Sequence, residues 1–337
     1  MITYWQQKNG QFFKSKKEKI DPEEKVWVDA RILVPNEIEL LQNEFKIDPD
    51  HLRDIIDSDE LSRLEDGDGY ILTIIRFPFY NKDKVQYLTA PLGIIIQGNY
   101  IITICSNDCE VIRDFTTDRV KGINLSDFPT FIIRILDRAN ATFLRYLREI
   151  NRRSNAIQNE LQTTIENKEI LQLFAIETSL IYFSMSLKSN QLLLEKFRKT
   201  KLLKLDNDAM DWLDDAEVDN KQAIEMTDNY QNILMGATNT FNSVTNNDLN
   251  SSMRRLSILN LILMVPTFIT SFMGMNVELP FVKYGKWAAF ILSILCILSA
   301  FVTNLVLNFF EHHHRINEKS KKRTEKKRKE RKKAKRK

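Results

Sequence analysis

Thirteen residues between Asn232 and Gly274 recur at alternating steps of four and three, and their types could handle an ion. They are Asn232, Gly236, Asn239, Ser243, Asn246, Asn250, Met253, Ser257, Asn260, Met264, Thr267, Ser271 and Gly274. Each is small, polar and uncharged, or Met. A 3.5-residue repeat marks the contact seam of helices that wrap around one another, and such seams normally carry Leu, Ile or Val. A face of Asn, Ser and Thr makes a poor dry core. Two arrangements suit it: a parallel ring of helices around a water-filled axis, or a tight seam of small residues as in membrane helix dimers. Asn at five of the positions is more than packing needs, which favours the water-filled axis.

A second group is acidic. Asp206, Asp208, Asp211, Asp214, Asp215, Glu217 and Asp219 fall within fourteen residues that contain no Lys or Arg. Several copies brought together would repel unless divalent cations supplied counter-charge. The plainer reading is a solvated acidic helix start that complements the macrodipole. Other chemistry finds little footing. His312, His313 and His314 are consecutive, so on a helix they cannot face one metal, and an interfacial position suits them better. Cys105, Cys109 and Cys296 lack metal-ligand spacing and read as reduced structural thiols. With no Walker loop, Rossmann glycine pattern or nucleophile elbow, the sequence points away from an enzyme or an organic cofactor.

The polar repeat runs into a segment that could cross a membrane. Leu256 to Met273 is eighteen uncharged, mostly apolar residues, about enough for a hydrocarbon core near 30 Å thick. After the link Val277 to Lys286, the uncharged run Trp287 to Phe310 is long enough to cross again. A membrane hairpin is the expectation, and a pair of buried core helices the alternative.

Gly274-Met275-Asn276 closes the first of two spans near the C-terminus, followed by a short loop, a second span and a basic tail. This constellation resembles the CorA family of divalent-cation channels. Trp27 to Asp29 followed by Pro35 and Glu37, and Arg63-Leu64-Glu65 before a strand, are similar to weaker signatures of the family's soluble domain. The chain departs from the family in two places. Met273 stands where Tyr usually precedes the triplet, and Val277-Glu278-Leu279-Pro280 where the loop often reads Met-Pro-Glu-Leu.

The resemblance implies a homopentamer with the Gly274-Met275-Asn276 ring as outer selectivity filter. It also implies an apolar constriction at Met253 and Leu256 and a further pore position at Met264. In the family, carboxylates on the cytosolic helix and on the neighbouring subunit's α/β domain bind regulatory Mg²⁺. Leu52-Arg53-Asp54-Ile55-Ile56-Asp57 resembles that α/β segment, which makes Asp54 its candidate and Asp214 or Asp215 the helix partner. Mg²⁺ gives up its water reluctantly, so a ring of Asn276 carbonyls could hold the hydrated ion, and neutral oxygens bind weakly enough to release it.

The elements that must position these groups are of two kinds. Residues 1–125 mix strand and helix signals and read as an α/β domain. Val26 starts a β-rich run, Pro35-Asn36-Glu37 opens a short amphipathic helix, and Gly69 to Phe77, Thr89 to Ile96 and Tyr100 to Ser106 read as strands. From Thr130 to Val265 there is no proline, and Gly236 is the only glycine between Gly122 and Gly274. Very long helices follow, of about 35, 33 and 65 residues, broken near Thr163 to Asn167 and Thr200 to Asp208. Helices of that length imply a stalk built by several subunits. The expected order is an α/β domain (1–125), long cytosolic helices (126–204), a stalk helix (205–255), a first span (256–276), an outer loop (277–286), a second span (287–310) and a basic tail (311–337).

Charge divides along the same lines. From Arg315 onward fifteen Lys or Arg meet three Glu, leaving 34 basic and 42 acidic side chains before it. Arg254 and Arg255 before the first span and the tail after the second put both termini in the cytoplasm by the positive-inside rule. Beside a span, the tail reads as an extension drawn to anionic lipid headgroups rather than a nucleic-acid arm. No apolar leader follows Met1, so the N-terminal part is expected to stay in the cytosol. The sequence thus reads as a cell-membrane, channel-like Mg²⁺ transporter gated by cytosolic Mg²⁺. Two alternatives stand beside it: a Zn²⁺, Co²⁺ or Ni²⁺ transporter of the same kind, and a membrane-anchored cytosolic scaffold or sensor.

Overall fold

The computed structural model describes residues 1–20, 23–83, 85–117, 119–163, 167–274, 287, 290, 291 and 293–306. It divides into two units, Met1–Thr238 and Asn239–Lys337.

The first unit is built on a seven-stranded sheet: β1 (Ile2–Lys8), β2 (Gln11–Ser15), β3 (Val26–Arg31), β4 (Arg63–Asp66), β5 (Ile71–Asn81), β6 (Gln86–Gln97) and β7 (Tyr100–Cys105). Its spatial order is β2-β1-β3-β7-β6-β5-β4, antiparallel throughout except where β3 lies parallel to β7. The three strands expected from Ile, Thr and Tyr content form the central meander β5-β6-β7. Arg63-Leu64-Glu65, expected to precede a strand, is itself β4. The β1-β2 hairpin turns on Asn9 and Gly10, whose φ angles of 53° and 80° suit a tight two-residue connection. The dipeptide is a strong local hairpin signal.

Both faces of the sheet are covered. Alternation along β3 sends Val26, Val28 and Ala30 to one side, where α1 (Pro35–Phe45) and α2 (Pro49–Ile56) contribute Leu41, Phe45, Leu52 and Ile55. Trp27 points to the other side, wholly buried against Phe12, Phe115 and Phe131, with its Nε1 donating to Thr103 Oγ1 at 2.9 Å. That second core is completed by α3 (Glu110–Thr116) and by parts of three long helices, α4 (Phe128–Thr163), α5 (Asn167–Lys199) and α6 (Asn207–Met273). These helices run 36, 33 and 67 residues, against the 35, 33 and 65 expected from the scarcity of Pro and Gly.

Polar side chains fix α5 to the sheet. Asn190 acts like an extra strand: its Oδ1 accepts from the Arg76 backbone N–H at 3.0 Å and its Nδ2 donates to the Arg76 carbonyl at 2.8 Å. The Arg76 guanidinium is buried and donates to Ser186 Oγ and Thr89 Oγ1, each at 2.8 Å, and to the Ser58 carbonyl at 3.0 Å. Burial pulls its pKa below the usual arginine value. One side chain thereby joins α5, β6 and the loop after α2.

In the second unit, the described residues form the end of α6 and a shorter helix, α7 (Ser293–Val306). The expected second span begins before α7, and its residues 307–310 lie outside the described residues, as do the loop 277–286 and the tail 311–337.

Candidate ion pathway and acidic segment

On the second unit, α6 has two unlike faces. Ile258, Ile262, Pro266 and Ile269 are half-buried while their neighbours are exposed. On α7 the half-buried positions are Cys296, Ser299, Ala300 and Thr303, and the Cys296 thiol lies 4.0 Å from the Pro266 carbonyl. Large side chains on α6 thus meet small ones on α7, the pairing that lets helices approach closely without water.

The polar repeat lies on the other side. At about 100° per residue, Met253, Ser257, Asn260, Met264, Thr267, Ser271 and Gly274 centre on the face opposite the Ile258-Ile262-Ile269 stripe. All of these except Gly274, together with Asn250 and Leu256, carry exposed side chains, and Gly274 is exposed as well. Two hydroxyls are tied back to the helix: Ser257 Oγ donates to the Met253 carbonyl at 2.9 Å and Thr267 Oγ1 to the Leu263 carbonyl at 2.7 Å. At the end of α6 the Gly274 N–H reaches the Thr270 and Ser271 carbonyls at 2.9 and 3.2 Å. A Cβ on Gly274 would stand 3.4 Å from the Thr270 carbonyl, so within one chain a side chain fits there. Met275 and Asn276 lie outside the described residues.

Asp54 sits on α2, which glycine brings against the sheet. A Cβ on Gly93 would come within 2.4 Å of Ile55 Cδ1, so Gly93 makes the room into which Ile55 is packed. One residue before Ile55, Asp54 Oδ2 pairs with Arg63 Nη2 at 2.7 Å, and Arg63 also meets Glu60 and, at 3.1 Å, Glu65. The helix end that carries Asp54 and the loop that Arg76 holds are therefore both fixed.

The acidic run proves to be divided in its duties. Asp206 caps α6, its Oδ1 accepting from the Ala209 N–H at 2.7 Å. Asp214 and Glu217 are both bound by Arg198 from the end of α5, so counter-charge absent from the run is supplied by another helix. Asp215 is exposed. It is close enough to Asp137 of α4, with Asp219, to help raise that carboxyl's pKa; burial contributes most, and Arg134 and Arg138 act against it. Asp137 had no local signal in the sequence, because its acidic neighbours are some eighty residues away. Among the described residues no three His, Cys, Asp or Glu side chains of the chain converge as a metal site.

The cysteines behave as expected of structural thiols. Cys105 ends β7 and Cys109 precedes α3, both buried, and burial, then the adjacent Cys105, pushes the Cys109 thiol up.

Comparison with known proteins agrees with this architecture. The family model described as "CorA-like Mg2+ transporter protein" matches residues 22–315. The cobalt/magnesium transport protein CorA of Methanocaldococcus jannaschii is 23% identical over 280 residues, covering 81% of this chain and 87% of that protein. The complete structure of that organism's CorA magnesium transporter superposes with a TM-score of 0.76 at 20% identity, over 91% of this chain and 96% of the other. The full-length CmaX protein gives 0.65 at 15% identity over the same shares. The cytoplasmic domain of ZntB from Vibrio parahaemolyticus gives 0.57 at 12%, over 73% of this chain and 98% of that domain.

Proposed function

The chain belongs to the CorA family of divalent-cation transporters, and from that premise we propose that it is a homopentameric channel for hydrated Mg²⁺, gated by Mg²⁺ on the cytosolic side. The observation that carries the reading is the division of α6: its polar 3.5-residue repeat lies opposite the face turned to α7. A helix whose one side is taken by the second span and whose other side offers Asn, Ser and Thr suits a ring with water along its axis.

In this reading residues 256–276 and 287–310 cross the membrane, 277–286 join them outside, and the tail 311–337 lies against anionic headgroups in the cytosol. Asn276 side chains ring the outer mouth and bind the ion through its water shell. Met253 and Leu256 narrow the inner end, where an apolar ring blocks ions by dewetting. Residues 205–255 form the stalk and 126–204 the helices beside it.

At the cytosolic end, Mg²⁺ bridges Asp54 of one subunit to Asp214 or Asp215 of the next and favours the closed ring. As Mg²⁺ falls the bridges empty, carboxylates repel, and the constriction is free to widen. The ion shifts the equilibrium only by its preference for the closed state, and several equivalent sites make the response steep. Asp214 is already held by Arg198, which leaves Asp215 the more available of the two partners.

The test is uptake by proteoliposomes loaded with a metal-sensitive dye, under an inside-negative potential and with a panel of metals. Uptake of Mg²⁺ ahead of Co²⁺, Ni²⁺ and Zn²⁺ is expected. A preference for Zn²⁺ that follows an imposed pH gradient would replace this reading with a proton-coupled Zn²⁺ transporter, and no uptake of any metal would leave a membrane-anchored sensor.

A further inference from the structure

The helix α5 carries apolar side chains on two sides. Its buried positions include Ser179, Ser184, Ser186, Ser189 and Asn190, which serve the sheet and Arg76. Its outward positions include Leu171, Phe174, Ile181, Met185 and Leu192, of which Leu171, Phe174 and Leu192 are 68%, 66% and 67% exposed. The inner face is apolar as well, with Phe183, Leu187, Leu194 and Phe197 buried there, so the outward side chains form a second apolar face rather than the rim of the first.

Their spacing is ordered. Leu171, Phe174, Thr178, Ile181, Met185, Lys188 and Leu192 follow steps of three and four without a break, three heptads of the seam by which one helix packs along another. Five of the seven are apolar, while Thr178 is half-buried and Lys188 pairs with Asp228 of α6 at 3.9 Å, and a stripe at this spacing suits a helical partner. With Tyr182 beside them, the apolar members of the seam expose roughly 700 Å², close to the ~800 Å² that each side of a standard protein interface buries.

We propose that this face of α5 is a subunit contact, covered by a helix of a second copy of this chain. The inference rests on the homopentameric reading and adds to it a contact outside the pore helix. A ring of five closes only through contacts in which unlike surfaces meet, because a two-fold contact pairs subunits and stops. In such a ring, α5 therefore meets a helix other than the neighbour's α5. The contact joins adjacent subunits through the helix that Arg76 and Asn190 bind to the loop after α2, so it bears on the segment carrying Asp54.

The experiment uses the full chain in lipid nanodiscs with p-benzoylphenylalanine placed at Phe174, Met185 or Leu192, and at Gln172 as a control exposed on the far side of the same helix. Native mass spectrometry reports the oligomer before illumination. The expected result is a pentamer, with a band of twice the chain mass from the three seam positions and none above background from Gln172, and peptide mapping that places the adduct on another helix of the neighbour. Phe174→Ser with Met185→Ser, both on exposed positions, should remove the band from a cross-linker at Leu192 while the pentamer persists. A pentamer whose seam positions label only lipid or their own chain would overturn the α5 contact and leave the pentameric reading standing. A monomer or dimer in the nanodisc would overturn both. An α5-to-α5 adduct within a pentamer would likewise overturn the heterologous contact.

Discussion

The two units of this chain treat apolar side chains in opposite ways. In Met1–Thr238 they turn inward on both sides of one sheet, and Trp27, Phe77, Phe115 and Phe143 are wholly buried. In Asn239–Lys337 none of the described residues is buried, and Phe268, Met264 and Leu256 are 72%, 67% and 62% exposed. The first unit finishes most of its packing within one chain; in the proposed reading the second is completed by lipid and other copies. Hydrophobic burial stabilises the first by removing surface from water, whereas in that reading the apolar side chains of the second already match their solvent and association depends on close packing and polar contacts. Residues that look alike in the two units should therefore respond differently to the same substitution.

The sharpest break concerns the filter. Asn276→Ala should abolish Mg²⁺ uptake while the oligomer keeps its native mass, because a methyl offers no acceptor to the ion's water. Normal flux in that variant would remove Asn276 from the pathway.

The contrast in burial predicts a contrast in stability. Trp27→Ala should cost the first unit about 3–5 kcal/mol, as expected when a buried aromatic leaves a cavity. It should lower the denaturant midpoint followed by hydrogen exchange on β3 and β7. Phe268→Ala should barely change the melting of the detergent-solubilised protein. Equal losses at both positions would mean that the second unit hides its side chains as the first does.

Next comes the division of α6. Asn250→Leu should lower uptake about tenfold, the equivalent of ~1.4 kcal/mol added to the barrier. Ser251→Leu, turned by about 100°, should be tolerated. Cysteine labelling from Asn246 to Ser257 should repeat every 3.5 residues, and labelling without that period would sink the coaxial pore.

The acids should give a shift rather than a loss. Neutralising Asp54, Asp214 and Asp215 together should leave a channel that still selects but closes poorly at high internal Mg²⁺. Arg198→Gln, by releasing Asp214, should close it at lower internal Mg²⁺. If the triple variant closes at the parent's concentration, the sensor lies elsewhere.

The smallest effect is at Asp137. Its folded pKa is raised, so the folded state holds the proton more tightly than the unfolded one. The charged carboxylate therefore weighs against folding above the folded pKa, and that penalty lifts as pH falls through it toward the unfolded value. Asp137→Asn should raise Tm slightly at neutral pH, with the gain fading in acid. A lower Tm at neutral pH would show that the Arg134 contact outweighs burial.

Much of this architecture was legible because it rests on local signals. Scarce Pro and Gly gave three helix lengths to within about two residues, and β-rich runs gave the central strands. The polar repeat was readable because a periodic pattern needs no knowledge of its partner. What escaped depends on contacts distant in sequence. Arg198 answers Asp214 and Glu217 from a separate helix, Asp137 gains its character from Asp215 and Asp219, and Gly93 matters only because Ile55 occupies its side-chain space. The second apolar face of α5 was equally hidden, since both of its faces carry apolar residues and only the fold shows which of them stay outside. The Asn9-Gly10 hairpin is different: it was missed although its signal was local and strong.

The polar seam of α6 has one further property. From Asn232 to Gly274 none of its members titrates, and Ser257 and Thr267 turn their hydroxyl protons back onto the helix. In the proposed ring these two hydroxyls face the axis as acceptors, so an anion meets no hydroxyl proton there to greet it. No residue along that line can carry a proton from one side to the other. Acidity could then reach the flux through groups off that line, such as the cytosolic carboxylates and their basic partners, while the line itself stays blind to pH.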